Sequence, residues 1–174
     1  MWRLVTPDFR IDSVLELDPA RLRSLNLDAL LLDVDCTLKD YLAEDLAPGV
    51  ADWLEGLRSA GIGVCLVSNG RAARIRRLAD SLRLPVVCQA CKPLPFGCRA
   101  ALRRIGADRR RTAIVGDQLF ADIVAGRLAG LTCILVRPIH PEHERWFTRM
   151  KRPLERLVLG RMEMQPLPRR AKTD

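Results

Sequence analysis

Aromatic side chains are scarce in this sequence: one Tyr, four Phe and three Trp among 174 residues. So few flat faces leave little with which to stack unpaired bases. No RNA-binding motif is present either, which argues against a module that reads single-stranded nucleic acid. No apolar run approaches the roughly 20 residues of a membrane span. The N-terminus lacks the basic-then-apolar layout of a signal peptide, so a cytoplasmic setting is expected. Internal repeats are missing as well. The six cysteines are scattered, several within predicted strands; that spacing suits reduced thiols better than a disulfide framework.

What is present is a chain of the right length for one domain with a sizeable core. Its apolar fraction of 48% excludes general disorder. The net charge is +8, mostly from arginine, which favours an anionic partner: nucleic acid, an anionic bilayer or a phosphorylated substrate. Charge alone does not choose among them.

Short apolar runs at Ala29–Leu32, Val64–Val67, Pro85–Cys88, Thr112–Val115 and Thr132–Val136 read as buried strands. Helical spacing lies between them: Val50, Trp53, Leu54 and Leu57; Ile75, Leu78, Ala79 and Leu82; then helices over Leu94–Ile105 and Leu119–Leu128. This alternation predicts an α/β fold, a parallel sheet with helices on both faces and right-handed crossovers. Residues 1–28 read as a lead-in packed on the domain, where Pro7 and Pro19 limit regular structure and a short helix spans Pro19–Leu25. Residues 29–140 form the catalytic domain. Residues 141–174 form a basic amphipathic helix, interrupted or restarted at Pro153, and a polar tail. Its Trp146 and Phe147 stripe is expected to pack on the sheet, with membrane contact as the alternative and the basic rim free to meet anionic lipid.

The polar clusters all fall at strand ends, where open α/β sheets place their sites. Asp33 and Asp35 follow the first of the buried runs, and a period-two backbone puts both on one side. Carboxylates that close repel unless a cation neutralises them or chemistry needs them. Ser68-Asn69-Gly70, Lys92 and Gly116-Asp117 with Asp122 end later strands. Together they fit phosphoryl transfer, which is mainly positioning and charge stabilisation. Asp33 can attack phosphorus, and Asp35 can protonate the leaving oxygen and then deprotonate water. The Ser68 hydroxyl and the Asn69 backbone N–H can hold a phosphate, with Lys92 as a point charge on the same oxygens. Asp117 offers a hard oxygen for Mg2+, shared with Asp33.

In order and placement these elements resemble the haloacid dehalogenase superfamily, with Asp-x-Asp-x-Thr at 33–37, then Ser68, Lys92, Gly116-Asp117 and Asp122. The resemblance implies a three-layer Rossmann-like fold, Asp33 as nucleophile, Asp35 as acid/base and Thr37 as a supporting group. It also implies a metal set of Asp33, the Asp35 backbone carbonyl, Asp117 and, through water or a second shell, Asp122. Taken alone, Asp122 could equally just favour the first turn of its helix. Leu17-Asp18-Pro19, Val67-Ser68-Asn69, Lys92-Pro93, Gly116-Asp117-Gln118 and Arg137-Pro138 resemble the subfamily IIIA, phosphatidylglycerophosphatase-type branch, which lacks a cap domain. Cys36 and Gly70 depart from that branch, where Asn is usual at both positions. Neither usual place for a lid holds an insertion of domain size.

The expected activity is therefore an Mg2+-dependent phosphomonoesterase, best matched to phosphatidylglycerol phosphate at the cytoplasmic face of a membrane. The alternatives are a phosphatase of a soluble metabolite or nucleic-acid end, a receiver-like phosphorylation switch, and a basic RNA- or ribosome-associated protein. The second aspartate speaks against the switch, because it supplies the group that drives dephosphorylation. Cys88 and Cys91, with Cys98 nearby, are read as free thiols because a fourth zinc ligand is missing. The arginines of 71–77, 99–104 and 109–111 are read mostly as solvated charges.

Overall fold

The computed structural model describes residues 4–144 and 146–160, apart from the side chain of Phe147. Arg145, the Phe147 side chain and the expected polar tail after Gly160 thus lie outside the described residues.

The strands are β1 (Phe9–Ile11), β2 (Ala29–Leu32), β3 (Gly63–Ser68), β4 (Val86–Cys88), β5 (Thr112–Gly116) and β6 (Thr132–Val136). They form one sheet in the order β1-β6-β5-β2-β3-β4, and every pairing is parallel. The helices between them are α1 (Pro19–Ser24), α2 (Val50–Ser59), α3 (Ala72–Leu82), α4 (Phe96–Ile105) and α5 (Val124–Ala129). Two short helices follow β6: α6 (Trp146–Arg149) and α7 (Arg152–Leu159).

Strand periodicity divides the core in two. Leu30, Leu32, Val64, Leu66, Ala113 and Val115 meet Leu22, Trp53, Leu57 and Ile75 of α1–α3 on one face. Leu31, Cys65, Val67, Ile114 and Cys133 meet Cys98, Ala101, Ala125 and Ala129 of α4 and α5 on the other. Both faces are covered, so β2 is apolar and buried at every position. The two stretches where a lid could be inserted hold none: residues 33–49 form a loop, and only α3, β4, α4 and a 3-10 turn at Arg109–Arg111 separate β3 from β5.

The sheet has a strand in the lead-in that hydropathy spacing did not predict. β1 is three residues long, too short to show a period. It is fixed at the edge by Asp8, whose N–H donates to Cys133 O at 2.8 Å and whose carboxylate accepts from Cys133 N and Arg127, both at 2.7 Å. The helix expected over Leu119–Leu128 opens instead as a wide, π-type turn at Leu119–Ile123 before α5 begins. The Asp122 carboxylate accepts the Gln118 N–H at 3.0 Å and stabilises that turn.

After β6 the chain restarts its helix with Pro153 in the first turn of α7. The expected packing of the Trp146 stripe is overturned. Trp146 is 72% exposed, and Met150, Leu154 and Leu157 are exposed with it. Glu155 and Val158 are buried instead, and Arg152 turns inward because carboxylates beneath it require a cation.

Candidate active site

Asp33 directly follows β2, and its N–H donates to Val115 O at 2.9 Å, which holds it between strand ends. Lys92 reaches it from the loop after β4. The Lys92 ammonium donates to Asp33 Oδ1 at 2.5 Å, to Asp122 Oδ1 at 2.6 Å and to the Val67 carbonyl at 2.9 Å. All three residues in this ion group are buried. Burial raises the Asp33 carboxyl above the ordinary carboxylate range, and Lys92 opposes that shift. Burial alone would lower Lys92, but Asp122 and Asp33 outweigh it and hold the ammonium well above its ordinary value.

Asp117, at the end of β5, is also buried. Thr37 donates to its Oδ1 at 3.2 Å, while Arg152 of α7 donates to its Oδ2 and, at 2.7 Å, to its backbone carbonyl. Burial pushes the Asp117 carboxyl well above its usual range, with Arg152 pulling the other way. Gly116 is required here, because a Cβ at that position would overlap the Asp122 carboxyl group.

Asp33, Asp117 and Asp122 each bring a carboxylate oxygen to within 4.8 Å of the others. Such a buried, all-oxygen set suits a hard divalent cation. Among the described residues these three carboxylates meet only Lys92 and Arg152 in direct ion pairs, so charge balance also favours one. Asp35 stands apart from this set. Its carboxylate takes a two-pronged contact from Arg74 in α3, at 2.8 and 2.5 Å.

Ser68 ends β3, and its hydroxyl oxygen accepts the Gly70 N–H at 3.0 Å, leaving a proton to donate. The Asn69 side chain holds the backbone of Lys92, donating to its carbonyl and accepting its N–H, both at 2.9 Å. Asn69, Lys92, Asp33, Asp122, Asp117 and Thr37 are thus linked at the carboxyl end of the sheet; Ser68 ends the neighbouring strand β3 just before Asn69, and the Asp35 carboxylate is held by Arg74. The cysteines of 88–98 form no metal-ligating group among the described residues: Cys88 donates to Ala72 O, while Cys98 of α4 is buried in the core.

Sequence reasoning missed Arg74, Arg152 and Glu144. It read Arg74 as one of many solvated arginines and Arg152 as part of a basic rim. Arg74 lies only six positions after Ser68, in the first turn of α3, and that placement beside the acidic loop was the available signal. Locally Arg152 shows only an ordinary i,i+3 pairing with Glu155 on its own helix. Asp117 and Glu144 are brought to it by the fold.

A family model described as haloacid dehalogenase-like hydrolase matches residues 7–130. The chain belongs to that hydrolase family, and it is an enzyme of the phosphatase class. Among curated relatives, "Probable phosphatase YqeG" of Bacillus subtilis is 27% identical over 157 residues, covering 90% of this chain and 91% of the relative. The Escherichia coli ribonucleotide monophosphatase NagD matches locally, at 53% identity over 45 residues, or 26% of this chain and 18% of NagD. In fold, the chain is similar to 3-deoxy-D-manno-octulosonate 8-phosphate phosphatase of Yersinia pestis. That match has a TM-score of 0.54 and 20% identity, covering 82% of this chain and 88% of the other.

Proposed function

We propose that this phosphatase is Mg2+-dependent and removes the terminal phosphate of phosphatidylglycerol phosphate at a membrane surface. The observation that carries the lipid reading is the outward face of α6 and α7. It exposes Trp146, Met150, Leu154 and Leu157, with Arg149, Lys151 and Arg156 beside them. An apolar stripe with a basic rim suits the interface of an anionic bilayer. The inner side of the same α7 contacts Asp117 through Arg152, so the helix that carries this face is tied to the reacting end of the sheet. The lidless loops leave room for a phosphate presented from a bulky body. Among the described residues no helix is long and apolar enough to cross a membrane, so contact would be peripheral.

In the proposed reaction an Asp33 oxygen attacks phosphorus, the bond from phosphorus to the lipid oxygen breaks, and Asp35 gives that oxygen a proton. Water then attacks the phospho-aspartate and passes a proton to Asp35. The bond from phosphorus to Asp33 breaks, freeing phosphate. Arg74 engages both Asp35 oxygens, so it must yield one of them when Asp35 handles a proton. Lys92 and Ser68 hold the phosphoryl oxygens. Asp33, Asp117 and Asp122 would hold Mg2+, which when bound supplies positive charge against the carboxylates and the transferring group. The cobalt-bound form of a Haemophilus influenzae phosphatase of similar fold, at a TM-score of 0.53, is consistent with that metal reading.

The test is phosphate release from vesicles containing phosphatidylglycerol phosphate, compared with sugar, nucleotide and oligonucleotide monophosphates. Preference for the lipid, lost on chelation and in Asp33→Asn, is expected. Equal or better turnover of a soluble substrate would end the lipid reading and leave the phosphatase class intact.

A further inference from the structure

The segment after β6 reaches back over the site and is fastened to it at three places. The Ile139 N–H donates to the Cys36 carbonyl at 2.8 Å. His143 Nδ1 lies 2.7 Å from the Asp40 carboxylate. Arg152 then engages both the backbone and the side chain of Asp117.

Arg152 is enclosed by acceptors. Its Nε donates to Glu144 Oε2 at 3.0 Å, its Nη2 to Glu144 Oε1, and its Nη1 to Glu155 Oε2 at 3.1 Å. The other Glu155 oxygen accepts the Phe120 N–H at 3.2 Å. An unbalanced guanidinium next to a metal-binding carboxylate would repel the cation. Here Glu144 and Glu155 balance it, so its charge is committed to the strap while its planar fork fixes Asp117. With Thr37 on Oδ1 and Arg152 on Oδ2, the Asp117 carboxylate is anchored on both oxygens. Supports of this kind tune metal affinity by about 10- to 100-fold.

We propose that Arg152 is a positioning residue for Asp117, and that seating of the 137–159 strap and cation binding at Asp33, Asp117 and Asp122 are coupled. This inference rests on the metal reading given above. Because coupling is reciprocal, a cation that favours the anchored Asp117 must also favour the seated strap.

The test needs no substrate. Mg2+ binding is measured by calorimetry for the wild type, Arg152→Lys, Arg152→Ala and Asp117→Asn, alongside thermal melts. Hydrogen exchange of α7 is followed with and without Mg2+. Arg152→Lys keeps the charge but loses the fork, so it is expected to fold like the wild type and bind Mg2+ about 10-fold or more weakly. Mg2+ is expected to slow exchange in wild-type α7 and to have little effect on it in Arg152→Lys. Wild-type affinity in Arg152→Lys, or α7 exchange that ignores Mg2+ in the wild type, overturns the inference alone. No Mg2+ binding by the wild type overturns the metal reading and the inference with it.

Discussion

The side-chain amide of Asn69 clasps the backbone of Lys92 through two hydrogen bonds, each 2.9 Å long and opposite in sense. Asn69 thereby fixes the start of the lysine that bridges Asp33 and Asp122. Asn69→Ala should therefore act as a weakened form of Lys92→Ala. Activity is expected to fall about 10- to 100-fold, in kcat more than in KM, at a stability cost of about 1–2 kcal/mol. Steady-state kinetics and a denaturant titration check this, and an unchanged kcat would show that the clasp is dispensable.

Gly116→Ala places a methyl group against the Asp122 carboxyl group. Asp122 must move, and with it one of the two carboxylates holding Lys92. A loss of about 1–3 kcal/mol is expected from overpacking, with a fall in activity of roughly 100-fold or more. Full activity in the folded variant would mean that Asp122 is not needed where it stands.

Cys36 has left-handed backbone, with φ at 61°, a region where asparagine is enriched and β-branched residues are outliers. Cys36→Asn is expected to raise the melting midpoint by about 2–4 °C, the effect of about 1 kcal/mol in a chain of this size. Cys36→Val should lower it. Calorimetric melts decide the order.

Burial raises the thiols of Cys65 and Cys98 to about 11 and that of Cys133 to about 12, from an ordinary value of 9.0. Each folded value lies above the unfolded one, so the associated stability is complete below pH 9 and lost as pH rises through 11–12. Across that window each thiol should contribute a fall of roughly 1.4 kcal/mol per pH unit. Denaturant midpoints measured from pH 8 to 11 test the slope, and Cys65→Ala should flatten it.

Leu154→Asp and Leu157→Asp remove apolar area from the exposed face of α7 and add negative charge. Sedimentation with anionic vesicles should weaken for both, while hydrolysis of a small soluble aryl phosphate stays near wild type. Undiminished vesicle binding would remove this face from the lipid reading.

The layered architecture was legible because β2, β3, β5 and β6 are continuous apolar runs between clear helical patterns. The candidate site was legible because Asp33, Ser68, Lys92 and Asp117 each end a strand or follow one closely. Long-range ion pairing was not. Arg152 and Asp117 are 35 residues apart, and no local pattern distinguishes a buried arginine from a solvated one in so basic a segment. β1 escaped for a different reason: three residues are too few to show a period, and its pairing with β6 and the Asp8 contacts to Arg127 and Cys133 all reach across more than a hundred residues.

The loops around Asp33 also bear on where the phosphoryl group goes next. Among the described residues no domain-sized insertion lies between β2 and α2 or between β3 and β5, so a water need not wait for such a lid to open before it meets the phospho-aspartate. On the proposed route such an enzyme is a poor transferase by design, since hydrolysis wins simply because the acceptor that is everywhere needs no binding pocket.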